Sequence, residues 1–476
     1  MKKLSSIVRS SASLVLARVL SAFCAFLLFW VISQKSVQAL GAFRTIFVFF
    51  LFTEFIPLLG TNQFVIREVS VSREHAKQYF LHSLSFALLV SLMVSALLIL
   101  LAVCGKYSET ISRGLIIVAA GMPATAGILC GQSVLIGLGR GDLFGIIQGT
   151  EAFIRTVAGI LLLYYGHDIL SVVVCFIVTR WFILSVYWLL LLPYIKKGKW
   201  GFDRMFFVRL VREVPSFAGI LVCYLIIRFA PQVMLPWMKD EIAAGRFAVA
   251  FQFLDLALLV PTAFAINLMP VFAQKFEVSM DVFSDLCHQA IKIISFLIIP
   301  AVSVTFLMSK PLILAVFGKE YIASVLILKI LIWVAFLFAV DQILSMATIA
   351  GRKQHYDLFA LGCGSISTVV FLYFLILKMG VTGAAIGYLL GTIVLITVRI
   401  FSVKLFIHKI NPLIQLWKPV LAVLPVFVVV NLLKYHWIIL AIIGLAVYCI
   451  CLVCIGGLSV DERLAMRRLL GSDVQR

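Results

Sequence analysis

What most constrains this chain is a series of long apolar runs, separated by short polar breaks, extending from about residue 12 to about residue 458. The runs are unbroken, whereas a helix on a soluble core carries only one apolar stripe. A bilayer accommodates such runs: one crossing takes roughly 20 apolar residues, and a helix satisfies its own backbone in hydrocarbon. Fourteen spans are predicted, at 12–33, 43–65, 79–103, 114–137, 142–165, 169–194, 216–237, 247–271, 289–309, 321–349, 357–377, 381–403, 419–433 and 437–458. The expected fold class is therefore all-α and polytopic. The start (Lys2, Lys3, then apolar residues, with Val37-Gln38-Ala39 as a cleavage-like site) resembles a signal peptide. Arg18 interrupts that stretch and the run continues to about Ser33, so a retained first span is expected.

Charge supports this topology. Only 13% of the 476 residues are charged, against about 25% in soluble proteins. The net charge of +19 would suggest nucleic acid in a soluble protein, but here it follows the positive-inside rule. With the N-terminus cytoplasmic and the spans alternating, inner segments hold 23 Lys and Arg and outer segments hold ten. Both termini are expected in the cytoplasm, and no nucleic-acid partner is expected.

No catalytic constellation, metal site or cofactor is expected. The seven histidines are scattered, mostly at span ends, with no HExxH or metal-ligand spacing. Cys451-Leu-Val-Cys454 is a lone CxxC inside a span, and buried free Cys behaves as a small hydrophobe. Gly137-Leu138-Gly139-Arg140-Gly141 has no strand before it, which argues against a phosphate loop. No loop is long enough for a soluble catalytic domain.

The predicted organisation is an N-lobe at 1–195, a basic amphipathic linker at 196–215 and a C-lobe at 216–406. Two further spans follow at 407–460, then a tail at 461–476. The linker reads as a surface helix or as an ordinary basic connection. The lobes look duplicated: Gly41, Phe43, Phe47 and Pro57 recur 204 positions later as Gly245, Phe247, Phe251 and Pro261. Six spans per copy gives parallel repeats about an axis normal to the membrane, with a cavity between them.

Several short motifs carry a family resemblance across nearly the whole chain. They are Leu40-Gly41-Ala42-Phe43, Pro57-Leu58-Leu59-Gly60, Ile66-Arg67-Glu68, Glu213-Val214-Pro215, Phe317-Gly318-Lys319-Glu320-Tyr321 and Gly380-Val381-Thr382-Gly383-Ala384-Ala385. On these the chain resembles the multidrug/oligosaccharidyl-lipid/polysaccharide (MOP) exporter superfamily, specifically its Wzx-type polysaccharide and O-antigen flippases. The resemblance implies two six-helix lobes, alternating access, and export of an undecaprenyl-diphosphate-linked oligosaccharide across a bacterial inner membrane. It further implies membrane lipids, polysaccharide polymerase and chain-length proteins as partners.

Charges inside the spans are the candidate site residues, because each costs about 2.5–3.5 kcal/mol at mid-bilayer. Arg155, Arg180 and Arg228 are central in spans 5, 6 and 7; Glu54, Glu151 and Asp255 are central in spans 2, 5 and 8. Arg18, Lys329, Asp341 and Arg399 are expected to lie shallower, where some can snorkel. Glu151 and Arg155 have the spacing of an intrahelical pair. Arg180 and Arg228 have no local partner. Given a flippase, Arg180, Arg228, Arg155 and Arg18 are candidates for binding the diphosphate, which a guanidinium takes in bidentate fashion. Glu54, Asp255, Glu151 and Asp341 are candidates for coupling to H+ or Na+, with pairing to a cavity arginine as the alternative. Gly383, Gly387 and Gly391 form a doubled GxxxG, which close helix packing explains. A drug or cation exporter, a lipid II flippase, a membrane glycosyltransferase or oligosaccharide ligase, and a scaffold are the competing readings.

Overall fold

The structure is a computed structural model that describes residues 20–71, 75–197, 204–351, 353–406, 417–432 and 436–454. Its regular elements are helical, with no strand among the described residues. The first eight helices are α1 (Leu20–Ser33), α2 (Val37–Phe55), α3 (Asn62–Val71), α4 (Ala76–Cys104), α5 (Glu109–Gly137), α6 (Gly141–Tyr164), α7 (Ile169–Lys197) and α8 (Arg204–Met238). After them come α9 (Glu241–Val278), α10 (Met280–Leu307), α11 (Ser309–Val316), α12 (Ser324–Ala350), α13 (Gln354–Phe406), α14 (Trp417–Leu432) and α15 (Trp437–Cys454).

The polar breaks start the helices. The Ser36 and Ser279 hydroxyls accept from the N–H groups of Ala39 and Val282, and the carboxylates of Asp168 and Asp240 accept from Ser171 and Ala243. Each bond satisfies a donor that the first turn leaves open.

Eleven helices are long and apolar enough to cross a membrane, and two shorter apolar helices, Leu20–Ser33 and Trp417–Val430, accompany them. One of the eleven, α13, is two crossings joined at Gly380, whose φ of 59° and ψ of −129° break the helix. Counting its halves separately gives twelve such helices, or fourteen with the two shorter ones, among the described residues, and the protein is an all-α polytopic membrane protein.

Two boundaries differ from those expected. The segment 43–65 is not one span: α2 stops at Phe55, and α3 begins at Asn62. Pro57 lies in the turn between them, followed by Leu59 at φ 46° and Gly60 at φ 81°. Left-handed backbone at Leu59 is uncommon for a residue with a side chain. Pro261, 204 positions later, lies inside the uninterrupted α9. On the C-terminal side of the expected linker, α8 runs without interruption from Arg204 to Met238.

The chain forms two compact units, one taking in Met1–Ala248 and Ile376–Val381, the other Val249–Leu375 and Thr382–Arg476. At the centre of the first is α5, which packs on α2, α3, α4 and α7. Its glycines bring α7 close: Gly121 lies against Ile177, Gly127 against Leu184 and Gly131 against Tyr187. Small residues at such contacts allow the van der Waals packing that holds helices together where lipid is as apolar as the side chains.

In the same unit α2 and the start of α9 cross at two glycines. A Cβ on Gly41 would lie 1.8 Å from the Glu241 carbonyl oxygen, and one on Gly245 would lie 2.1 Å from that of Val37. Nearby, Ser108 donates to the Glu241 carboxylate.

In the second unit α10 packs on α12, α14 and α15. The halves of α13 meet where Gly387 and Gly391 face Leu372 and Thr368, as the doubled GxxxG implies.

Candidate functional site

Three helices of the first unit converge on a charged cluster. Glu54 comes from the end of α2, Glu151 and Arg155 from α6, and Arg180 from α7. Arg180 hydrogen-bonds Glu54 through Nη2, and its Nε lies 3.3 Å from Glu151 Oε1. Arg155 Nη1 is 3.7 Å from the same Glu151 oxygen.

The cluster has two charges of each sign and a gradient of exposure. The side chains of Arg180 and Glu151 are 3% and 5% exposed, whereas those of Arg155 and Glu54 are 18% and 25% exposed. Aromatic rings back it: the Arg180 guanidinium carbon is 4.9 Å from the Phe50 ring centre, and that of Arg155 is 5.2 Å from Phe176. Phe43, Phe47 and Phe50 extend this layer towards Phe176. A ring face attracts a cation at such distances, most where water is excluded.

Arg180, which has no local partner in the sequence, is thus held by two carboxylates. One comes from the neighbouring α6 and the other, Glu54, from α2, 126 positions away. Glu151 is shared, lying closer to Arg180 than to its helix neighbour Arg155.

Arg228 is half-buried on α8, which packs on α2, and its guanidinium lies 6.0 Å from the Phe229 ring centre. Arg18 lies outside the described residues. Asp255 is half-buried on α9 in the second unit.

Asp341 belongs to a second cluster, in the second unit, together with Asp357 and Arg399. Arg399 Nε donates to Asp341 Oδ1 at 2.5 Å, and Nη1 donates to Asp357 Oδ1. Ser345 Oγ donates to that same Asp357 oxygen at 2.8 Å. Arg399, expected to be shallow, is 1% exposed, and Asp341 is buried with it. The reason is pairing: a guanidinium between two carboxylates has no need to reach the interface.

Sequence reasoning missed two buried groups. Asp357 stands at the edge of an apolar run, which hides that it turns inward on the first turn of α13. Arg44, at the edge of the predicted span 43–65, is 7% exposed and donates from Nε to Gln232 Oε1 at 2.6 Å.

An apolar groove of about 520 Å³ lies between α4, α5 and α7, lined in part by Phe80, Leu88, Pro123, Trp181 and Trp188. No charged side chain lines it, which suits hydrocarbon and not phosphate. Among the described residues no three His, Cys, Asp or Glu side chains group so as to hold a metal ion.

The solved structures that this all-α membrane fold resembles are those of transporters and a flippase. The lipid II flippase MurJ in an inward closed conformation superposes with a TM-score of 0.78 at 17% identity, covering 93% of this chain and 98% of that one. An inward-facing multidrug resistance MATE family transporter of the MOP superfamily gives 0.66 at 16% identity, over 85% of this chain and 98% of that one. A MOP superfamily transporter from Pyrococcus furiosus, described as having a binding pocket of reverse polarity, gives 0.62 at 14% identity, over 85% and 95%. No curated protein matches the chain. Residues 35–326 match the family model described as polysaccharide biosynthesis protein, and the chain belongs to that family.

Proposed function

We propose that this protein is a flippase for an undecaprenyl-diphosphate-linked oligosaccharide, a repeat unit of O-antigen or another surface polysaccharide, in the bacterial inner membrane. The observation that carries the reading is a pair of arginines, Arg155 and Arg180, buried with Glu54 and Glu151 inside a polytopic membrane protein of a polysaccharide biosynthesis family. A diphosphate crossing hydrocarbon needs cationic donors on its path.

In this reading the lobes 1–195 and 216–406, joined by the basic linker 196–215, alternate access to a cavity between them, and both termini are cytoplasmic. Arg155 and Arg228 meet the diphosphate first, because each keeps some exposure. Arg180 joins them only when Glu54 lets it go, and Arg18 is the remaining cation. Glu54, Glu151, Asp255 and Asp341 are the groups for coupling to H+ or Na+. The prenyl chain stays in lipid, and polymerase and chain-length proteins act on the exported unit.

Lipid analysis after deleting the gene from its native host tests the proposal. Accumulation of the lipid-linked oligosaccharide on the cytoplasmic face, with loss of surface polysaccharide, is the expected result. Normal intermediates with raised drug sensitivity would make the protein an exporter. A second reading, lipid II transport, draws on the extent of the structural match to MurJ. It predicts that deletion blocks cell-wall synthesis and leaves surface polysaccharide precursors unchanged.

A further inference from the structure

The apolar groove between α4, α5 and α7 lies wholly within the first unit. Its polar groups are turned to the protein. Ser185 is in the lining, and its hydroxyl donates to the Trp181 carbonyl at 3.2 Å. Pro123 sets its ring in the groove and has no N–H, which leaves the carbonyl of Ala119, four positions earlier, without its helical donor. Ser95 of the neighbouring α4 donates to that carbonyl at 2.9 Å. The backbone is thus satisfied by a side chain, as membrane depth requires, and the lining accepts hydrocarbon.

Length and place suit one chain from one leaflet. The α4 wall runs from Phe80 to Leu88 and the α7 wall from Trp181 to Leu189, each about 12 Å at the helical rise. Half of a hydrocarbon core about 30 Å thick is about 15 Å. The α4 wall lies in the first half of its helix and the α7 wall mostly in the second half, so both lie towards the end expected in the cytoplasm. Trp181 and Trp188, two turns apart on α7, stay 46% and 44% exposed beside the groove, and the Trp188 ring meets that of Phe80 at 6.1 Å. Charge marks the same end. Lys77 stands one turn before Phe80, and Lys196 and Lys197 end α7 about two turns beyond Leu189. Lysines at the cytoplasmic membrane surface attract anionic lipid headgroups.

We propose that this groove binds one acyl chain of an anionic phospholipid, whose headgroup lies at the level of Lys77, Lys196 and Lys197. The inference does not depend on the transported substrate, so the test needs none. The probe is phosphatidylglycerol carrying a photoactivatable diazirine in one acyl chain, in phosphatidylcholine vesicles that hold the full-length protein. Labelled peptides are then mapped by mass spectrometry. Label is expected on the segments Phe80–Leu88 and Trp181–Leu189, falling with excess unlabelled phosphatidylglycerol and holding with excess phosphatidylcholine. Leu88→Trp, which fills the groove, is expected to lose that label while other peptides keep theirs. Lys77→Gln, Lys196→Gln and Lys197→Gln together should remove the advantage of phosphatidylglycerol as competitor. Label spread evenly over the lipid-facing helices, or unchanged in Leu88→Trp, would mean bulk lipid only and overturn the proposal. Equal competition by both lipids in the wild type also overturns it. So does a groove without label in a protein that cross-links as a dimer, which makes a second copy the occupant.

Discussion

Gly41 and Gly245, 204 positions apart in the chain, each lie against the backbone of the other's helix. Gly41 meets the carbonyl of residue 241, and Gly245 meets that of residue 37. The partner carbonyls are themselves 204 positions apart, so the contact is reciprocal. Adding one methyl group at either position brings it within 1.8–2.1 Å of a backbone oxygen, which only helix separation relieves. Gly41→Ala and Gly245→Ala are each expected to destabilise the protein by about 1–3 kcal/mol. The double variant should cost less than the sum, because the first methyl has already parted the helices. Thermal unfolding of the four proteins in detergent measures this, and strict additivity would contradict a shared contact.

Removing Arg180 leaves Glu54 and Glu151 without their shared cation. Arg180→Ala is expected to cost about 3–5 kcal/mol, as for other broken buried pairs. Adding Glu54→Gln should recover part of that loss. The same unfolding measurement tests it, and an Arg180→Ala protein as stable as wild type would contradict the pairing.

Arg155 is more exposed and its pairing with Glu151 is longer, so its loss should affect transport more than stability. Given the proposed function, Arg155→Ala is expected to insert normally and lower flipping about tenfold or more. One lost charge-assisted hydrogen bond contributes about 1.5–3 kcal/mol. A flipping assay in vesicles reads this, with Arg155→Lys intermediate because a lysine lacks the planar fork.

The second cluster predicts a non-additive pair. Asp341→Asn or Asp357→Asn alone leaves one carboxyl group to balance Arg399, so each should be mild. The double variant strands the guanidinium and should cost about 3–5 kcal/mol. Equal and additive losses would show that the two carboxyl groups do not share Arg399.

How far the sequence revealed this structure depended on distance along the chain. The spans were legible because each apolar run is local and a helix is its only outlet in hydrocarbon. Even the break in α13 shows as Met379-Gly380, where the backbone takes a positive φ. The Glu151–Arg155 pair was legible because four positions make one helical step. The partners of Arg180 were not, since Glu54 reaches it only after six helices have packed. The turn at Pro57 was missed for a different reason: apolar residues continue through it, so hydropathy crosses the break unchanged. Asp357 was hidden by its place in the first turn of a helix, where a carboxylate ordinarily faces water and complements the helix dipole.

The balance of the first cluster has an electrical consequence. In the first unit two arginines balance two glutamates, so that cluster carries no net charge. An elementary charge carried across 100 mV gains or loses about 2.3 kcal/mol. Moving together, the four groups of the first cluster draw no net work from the membrane potential, whereas a step that parts an arginine from its carboxylates does.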